Sequence, residues 1–275
     1  MVFRKNILII GAGINGLALA CALAQAEADF MVSVLDKDLN KNPAGSGSGS
    51  GAGCRGESRA CPLPLRVSAL TPSSLSFLAE ILGPDFVFNL FSGMKVWGGN
   101  VQGNLQTPLF PEASLDLKAS GAIVENQVLE KLLKNKADSL GVVFHEGEPV
   151  NLNRDSRKVY LDFKNKKLDQ KIQNLEADIL IGADGIHSWV REAAEIKTKI
   201  KSYEELAIVA VLETDKNHEQ QAYQKFISTG PIAFLPLLNK KLISLVWSCE
   251  KNKAQDLLNL SPEVFEQVLE KNFGI

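Results

Sequence analysis

Ile7-Leu8-Ile9-Ile10-Gly11-Ala12-Gly13-Ile14-Asn15-Gly16 is an aliphatic run broken by three glycines, and its reading decides the fold. Four consecutive aliphatic residues read as a strand buried on both faces, the kind found inside a parallel sheet. The glycines follow at once and open an Ala/Leu-rich helix running to about Ala26. Residues 30–35 form a second apolar strand, closed by Asp36, twenty residues after Gly16. Each part has a physical task. Gly11 allows a sharp exit from the strand, Gly13 lets the backbone approach a pyrophosphate, and Gly16 brings helix and strand together. The helix N-terminus offers unpaired N–H groups and a positive dipole end to phosphates. Asp36 stands where a carboxylate accepts hydrogen bonds from a ribose. The segment reads as a dinucleotide-binding unit.

Outward from this unit the pattern changes. Residues 45–53 alternate glycine with serine or alanine, with no side chains able to pack, and read as a flexible surface loop or a flap near the nucleotide. Order resumes at 65–70, and Thr71-Pro72-Ser73-Ser74 opens a helix that Gly83-Pro84 ends. Strands are expected at 93–97 and 101–109 around a Gly98-Gly99-Asn100 turn. Asn126 reads as the cap of a helix over 127–140, followed by a strand at 142–144 and a hairpin around Val159, Leu161 and Phe163. Residues 178–181 form another apolar strand. Beyond about residue 200, segments 206–212, 223–227, 232–235 and 242–247 read as strands of a different sheet, before a last helix opened by Ser261-Pro262-Glu263. The expected organisation is a domain over 1–200, with strands at about 90–115 belonging to the substrate side, and a partial substrate domain over 201–275.

Composition excludes several function classes. A 275-residue chain with 45% hydrophobic and 23% charged residues is ordinary globular material. A net charge of −2 gives no electrostatic reason to expect nucleic acid. No apolar run approaches the ~20 residues that span a bilayer. The start passes straight into the first strand, so no cleaved signal is expected and the cytoplasm is the expected location, with peripheral contact at the inner membrane left open. Cys21, Cys54, Cys61 and Cys249 form no disulfide or metal pattern. His145, His187 and His218 share no ligand spacing, so no metal site is expected.

A second glycine-acid motif, Gly182-Ala183-Asp184-Gly185, follows the strand at 178–181 and precedes a helix start at Ser188-Trp189-Val190-Arg191. A turn at the carboxyl end of a strand is where ligands of open parallel sheets sit. Asp184 reads either as an acceptor for a ribose or flavin hydroxyl or as the cap of the next helix.

With both motifs in place the chain resembles a family, the class A flavoprotein aromatic hydroxylases, and within it the hydroxylases of ubiquinone biosynthesis. The carrying segments are Gly11–Gly16, Arg66-Val67-Ser68-Ala69-Leu70, Gly93-Met94-Lys95-Val96-Trp97, Ile123-Val124-Glu125-Asn126 and Ile181–Arg191. They continue in the family's order with Gly230-Pro231-Ile232-Ala233-Phe234-Leu235-Pro236-Leu237 and Ser244-Leu245-Val246-Trp247-Ser248. The resemblance implies an α/β fold in which a Rossmann-like FAD-binding domain, a parallel sheet with helices, is interleaved with a mixed β-sheet substrate domain. It implies FAD as cofactor, NAD(P)H or another reductant as electron donor, and a polyprenylated phenol and dioxygen as substrates, with a quinone-biosynthesis assembly as the setting. By the same resemblance Gly11, Gly13 and Gly16 hold the pyrophosphate, Asp36 the ribose, and Arg66, Glu125 and Asn126 approach the flavin. Asp184 and Gly185 match the family's second motif. Read from the residues alone, Arg66 equally serves a structural ion pair and Asn126 a helix cap. The segments around Phe234 and Trp247 are implied to face the aromatic substrate, whereas their place in strands makes each ring core. No catalytic residue is assigned.

The chain also departs from the family. The family's third cofactor motif begins with Gly-Asp, a dipeptide that occurs nowhere in this sequence, and residue 98 is glycine where an acid is usual. The expectation is a C-terminally truncated hydroxylase. Two other readings stand beside it: an NAD(P)-dependent oxidoreductase, and a non-catalytic remnant that binds nucleotide.

Overall fold

The computed structural model describes residues 4–26, 29–39, 66–83, 88–98, 113–115 and 121–274. In chain order the elements are β1 (Lys5–Ile10), α1 (Ile14–Gln25), β2 (Phe30–Asp36), β3 (Val67–Leu70), α2 (Pro72–Leu82), β4 (Gly93–Gly98) and β5 (Ala113–Leu115). They continue with β6 (Ala122–Glu125), α3 (Asn126–Ser139), β7 (Val143–Arg154), β8 (Val159–Asn165), β9 (Ile172–Ala177), β10 (Ile179–Gly182) and α4 (Trp189–Ala193). The last are β11 (Glu205–Glu213), β12 (Gln221–Ile227), β13 (Gly230–Pro236), β14 (Leu242–Glu250), α5 (Lys251–Leu258) and α6 (Pro262–Phe273). The fold class is the expected α/β type. The chain divides into two units, one comprising Met1–Ser46, Phe77–Phe86 and Asn126–Lys199, the other Gly47–Ser76, Val87–Glu125 and Ile200–Ile275.

The first unit is built on a six-stranded sheet of order β10-β1-β2-β7-β8-β9. Its first four strands are parallel, whereas β8 and β9 run antiparallel to their neighbours. The aliphatic run explains the centre: Ile7, Leu8, Ile9 and Ile10 are all buried, as a strand covered on both faces must be. Leu8, Ile10 and Leu35 share one cluster with Leu161, Phe163 and Ala177. In α1 the buried residues other than Leu17 are small, Gly16, Ala18, Ala20 and Cys21, which lets the helix lie close to its neighbours. The Cys21 thiol donates to the Leu133 carbonyl of α3 at 3.4 Å, and burial pushes its pKa up to about 11. That is an inert, structural thiol.

Asp178 ties the start of β10 to β1. Its Oδ2 accepts from the Asn6 N–H at 2.7 Å, and Lys158 stands 3.3 Å from its other oxygen. The Asn6 hydrogen bond, followed by Lys158, lowers its pKa below the ordinary 3.8. A carboxyl depressed in the folded state contributes stability that is complete above the unfolded pKa and is lost as the pH falls through the folded one. Asp178→Asn is therefore expected to flatten the fall in the urea midpoint below about pH 4. The check is urea denaturation across the acid range, and an acid limb unchanged by the substitution would remove Asp178 from it.

The second unit holds a six-stranded sheet of order β11-β14-β13-β12-β4-β5, antiparallel throughout except for the β12–β4 pair, and a two-stranded ribbon of β3 and β6. One face of the sheet is covered by α5 and α6. Ile232, Phe234, Leu245 and Trp247 pack there with Leu257, Leu269 and Phe273. Ser261 caps α6 by accepting from the Val264 N–H. Buried Lys225 donates to the Phe273 carbonyl at 2.9 Å, a cation placed at the negative end of that helix.

The four strands expected after residue 200 form as β11, β14, β13 and β12 of one sheet. The expected strand at 101–109, the Gly/Ser run at 45–53, and Cys54 and Cys61 lie outside the described residues. The elements β5, β6, β9 and α5 were not expected. In β9 the residues are mostly exposed and polar, so its edge strand carries no alternating signal. In α5 only Ala254 and Leu257 are buried, too short a stripe to stand out from a charged loop.

Candidate cofactor site

The carboxyl ends of three neighbouring parallel strands meet at one edge of the first sheet. Ile10 is the register partner of Gly182 in β10 and of Leu35 in β2. The two glycine motifs, some 170 residues apart in sequence, are thereby set side by side with Asp36. Two hydrogen bonds fix the crossing: Gly11 N–H donates to the Leu35 carbonyl at 2.8 Å, and Ala183 N–H to the Ile10 carbonyl at 2.7 Å.

The three glycines of the first motif are needed for different reasons. Gly11 has φ +110°, and a Cβ there would overlap the Ala183 carbonyl oxygen and lie 2.6 Å from its carbon. Gly16 faces back onto the turn, and a Cβ would overlap the Gly11 carbonyl oxygen. Gly13 differs. It has the extended φ −79° and ψ 178° that any residue adopts, it precedes α1 without a side-chain cap, and a Cβ there would meet nothing within 4 Å. Nothing among the described residues requires glycine at 13. What a side chain there would occupy is open space over the first N–H groups of α1, which have no partner inside the helix. That fits a pyrophosphate at a helix N-terminus.

Asp36, at the end of β2, is buried. Its Oδ2 accepts from the Ala12 N–H at 2.7 Å and its Oδ1 from the Asp38 N–H at 2.9 Å. The acid therefore braces the glycine turn from the neighbouring strand. Asp184 is used within its own turn: Ser188 Oγ donates to Oδ1 at 2.5 Å, and the Val190 N–H donates to Oδ2 at 3.1 Å. Ser188 in turn accepts from the Arg191 N–H at 3.0 Å, so both side chains cap α4. Gly185 has φ +88° with no atom within 4 Å of a Cβ, so its glycine serves the backbone conformation.

Arg66 and Glu125 belong to the second unit. The β3–β6 register pairs Val67 with Glu125, placing Arg66 and Glu125 at one end of the ribbon, Arg66 exposed and Glu125 half-buried. The structural ion pair that Arg66 allowed is not formed among the described residues. Asn126 is the first residue of α3. Phe234 and Trp247 lie in the core beneath the helices, Phe234 4.1 Å from Phe273 and Trp247 6.2 Å from Phe265 between ring centroids. As aromatics in strands, both rings are core, the reading made from the residues. One residue at this edge escaped the sequence reading: Glu146 of β7, the register partner of Asp36. Its sequence signal is weak, an acid shortly after the start of a strand, whereas Asp36 closes a longer apolar one.

Comparison with known proteins agrees with this geometry. Residues 96–274 match the FAD binding domain family and residues 6–105 the FAD dependent oxidoreductase family. The chain is 32% identical over 225 residues to the mitochondrial ubiquinone biosynthesis monooxygenase COQ6 of Mus musculus, covering 76% of this chain and 44% of that protein. It is 32% identical over 156 residues to the ubiquinone hydroxylase UbiL of Rhodospirillum rubrum, covering 56% and 35%. The chain thus spans about half the length, or less, of these curated relatives. Among solved structures, aklavinone-11 hydroxylase in complex with FAD and aklavinone superposes with a TM-score of 0.65 at 15% identity, over 98% of this chain and 50% of that one. The p-nitrophenol 4-monooxygenase PnpA of Pseudomonas putida gives 0.65 at 14% identity, over 99% and 63%. These two share the fold. The match over residues 96–274 covers more than half of the chain: the chain belongs to the FAD binding domain family.

Proposed function

We propose that the chain serves as an FAD-dependent monooxygenase hydroxylating the aromatic ring of a polyprenylated phenol in ubiquinone biosynthesis. The observation that carries this reading is Gly13, a glycine at the head of α1 that no described residue requires, in a chain whose relatives are named for that pathway. In this reading Gly11 and Gly16 shape the turn, and Gly13 with the N-terminus of α1 holds the pyrophosphate. Asp36 keeps the turn in place and faces the ribose. Asp184 and Gly185 form the neighbouring rim, and Arg66, Glu125 and Asn126 serve the flavin side. The flavin, when bound, supplies dioxygen activation with electrons from NAD(P)H or another reductant. The chain's part is to bind, orient and exclude water. A polyprenyl substrate resides in the bilayer, so the reading includes a cytoplasmic protein in peripheral contact with the inner membrane, within a quinone-biosynthesis assembly. No helix among the described residues is long and apolar enough to cross a membrane.

Two measurements test the proposal. Equilibrium dialysis against FAD, FMN and NAD is expected to rank FAD first, because FMN lacks the adenosine half that the cradle serves. Equal binding of FMN would set aside the adenosine site, and NAD binding tightest would favour a nicotinamide-dependent enzyme. Expression in a strain lacking a quinone hydroxylase, with intermediates quantified by mass spectrometry, tests the substrate class. Accumulation of the unhydroxylated phenol despite bound FAD would count against it.

A further inference from the structure

We propose that Glu146 is a second nucleotide-binding acid at the adenosine end of the cradle, an acceptor for the neutral hydrogen-bond donors of an adenosine group. The inference rests on the FAD reading and adds a residue to it. Asp36 and Glu146 are register partners in the parallel strands β2 and β7. Neighbouring strands lie about 4.8 Å apart, and registered residues present their side chains on the same face of a sheet. Two acids therefore stand abreast at the edge where the glycine turn lies.

The two carboxylates are employed differently. Asp36 spends one oxygen on Ala12 and the other on Asp38. The Glu146 side chain is only 10% exposed, and its ion-pair partner, Lys166 Nζ, stands 3.6 Å away, beyond hydrogen-bond length. That lysine, on the turn after β8, donates instead to the Lys37 carbonyl at 3.2 Å. Lys166 thus balances the charge of Glu146 and steadies the residue after Asp36, while leaving the acceptor positions of Glu146 unspent. A carboxylate has about four such positions, so Glu146 retains acceptor capacity for a donor from outside the chain. Adenosine offers neutral donors in its ribose hydroxyls and its 6-amino group. An adenosine carrying a 2′-phosphate would instead bring negative charge to two carboxylates, so the same pair discriminates against 2′-phosphorylated nucleotides.

ADP, 2′-deoxy-ADP, IDP and adenosine 2′,5′-bisphosphate serve as probes in calorimetric titrations of the parent, Glu146→Ala and Glu146→Gln. Glu146→Ala is expected to weaken ADP by about tenfold or more, the effect of losing a hydrogen bond to a charged group, with the melting temperature little changed. In that variant either 2′-deoxy-ADP or IDP should bind as well as ADP, and the analogue that does so identifies the donor. Glu146→Gln keeps the shape and removes the charge, so it should narrow the parent's preference for ADP over the bisphosphate even if the alanine variant folds poorly. An ADP affinity in Glu146→Ala within about twofold of the parent, or an unchanged bisphosphate preference in Glu146→Gln, overturns the assignment alone. A parent chain that binds neither ADP nor FAD overturns the cradle reading and this inference with it.

Discussion

Gly13→Val is expected to abolish FAD binding in a protein that still folds. The two halves of that expectation have separate causes. At residue 13 the backbone is extended and a Cβ would touch nothing within 4 Å among the described residues, so the new side chain has room there. The remaining penalty is that of a poor residue before a helix, no more than about 1 kcal/mol. The isopropyl group, however, fills the space over the first turn of α1 that a pyrophosphate must enter to reach the N–H groups. A bound phosphate would have to give up those charge-assisted bonds or press against the side chain, and the loss of affinity should exceed about a hundredfold. Flavin fluorescence titration and urea denaturation of the same preparation check both halves. FAD binding undiminished in Gly13→Val would move the ligand away from the head of α1 altogether.

How much of this was legible in the sequence follows from how local each signal is. The strand, turn, helix and acid between Ile7 and Asp36 are contiguous, and each forms as read because hydrophobic pattern and glycine placement act over a few residues. Non-local pairing was not legible in the same way. That β10 lies against β1, so that Gly11 packs on Ala183, depends on a register set by 170 residues of intervening chain. The same holds for Glu146, whose meaning comes only from the strand beside it. Asp36 could be singled out as an acid at a strand end, but its bonds to Ala12 and Asp38 could not, since they follow from where two backbones happen to point. Asp184 was open between ligand and cap, and in the fold its two oxygens serve α4. Phe234 and Trp247 lie in the core, as large aromatic rings in strands do by default. β9 and α5 escaped because one is a polar edge strand and the other buries only Ala254 and Leu257.

Gly16→Ala is expected to be strongly destabilising, against the sign that helix propensity alone would give. Alanine inside a helix is ordinarily favoured over glycine by roughly 1 kcal/mol, and Gly16 lies in the first turn of α1. Its missing Cβ, however, points at the carbonyl oxygen of Gly11, with the Ala183 methyl 3.3 Å away. The turn cannot yield toward β2 without breaking the Gly11–Leu35 hydrogen bond. It cannot yield toward β10 either, because Gly11 is already pressed against the Ala183 backbone. The helix itself must therefore shift, and it carries Leu17, Ala18, Ala20 and Cys21 out of a close-packed interior. Overpacking of this kind costs about 3 kcal/mol or more when the neighbours are backbone, a large share of the ~5–15 kcal/mol that holds a domain folded. In urea the midpoint should fall sharply, and nucleotide binding should be lost together with the fold. The contrast with Gly13→Val, where binding is lost and the fold kept, separates a glycine that the chain needs from one that its ligand needs. A Gly16→Ala protein as stable as the parent would show that α1 does not sit on the turn as closely as described.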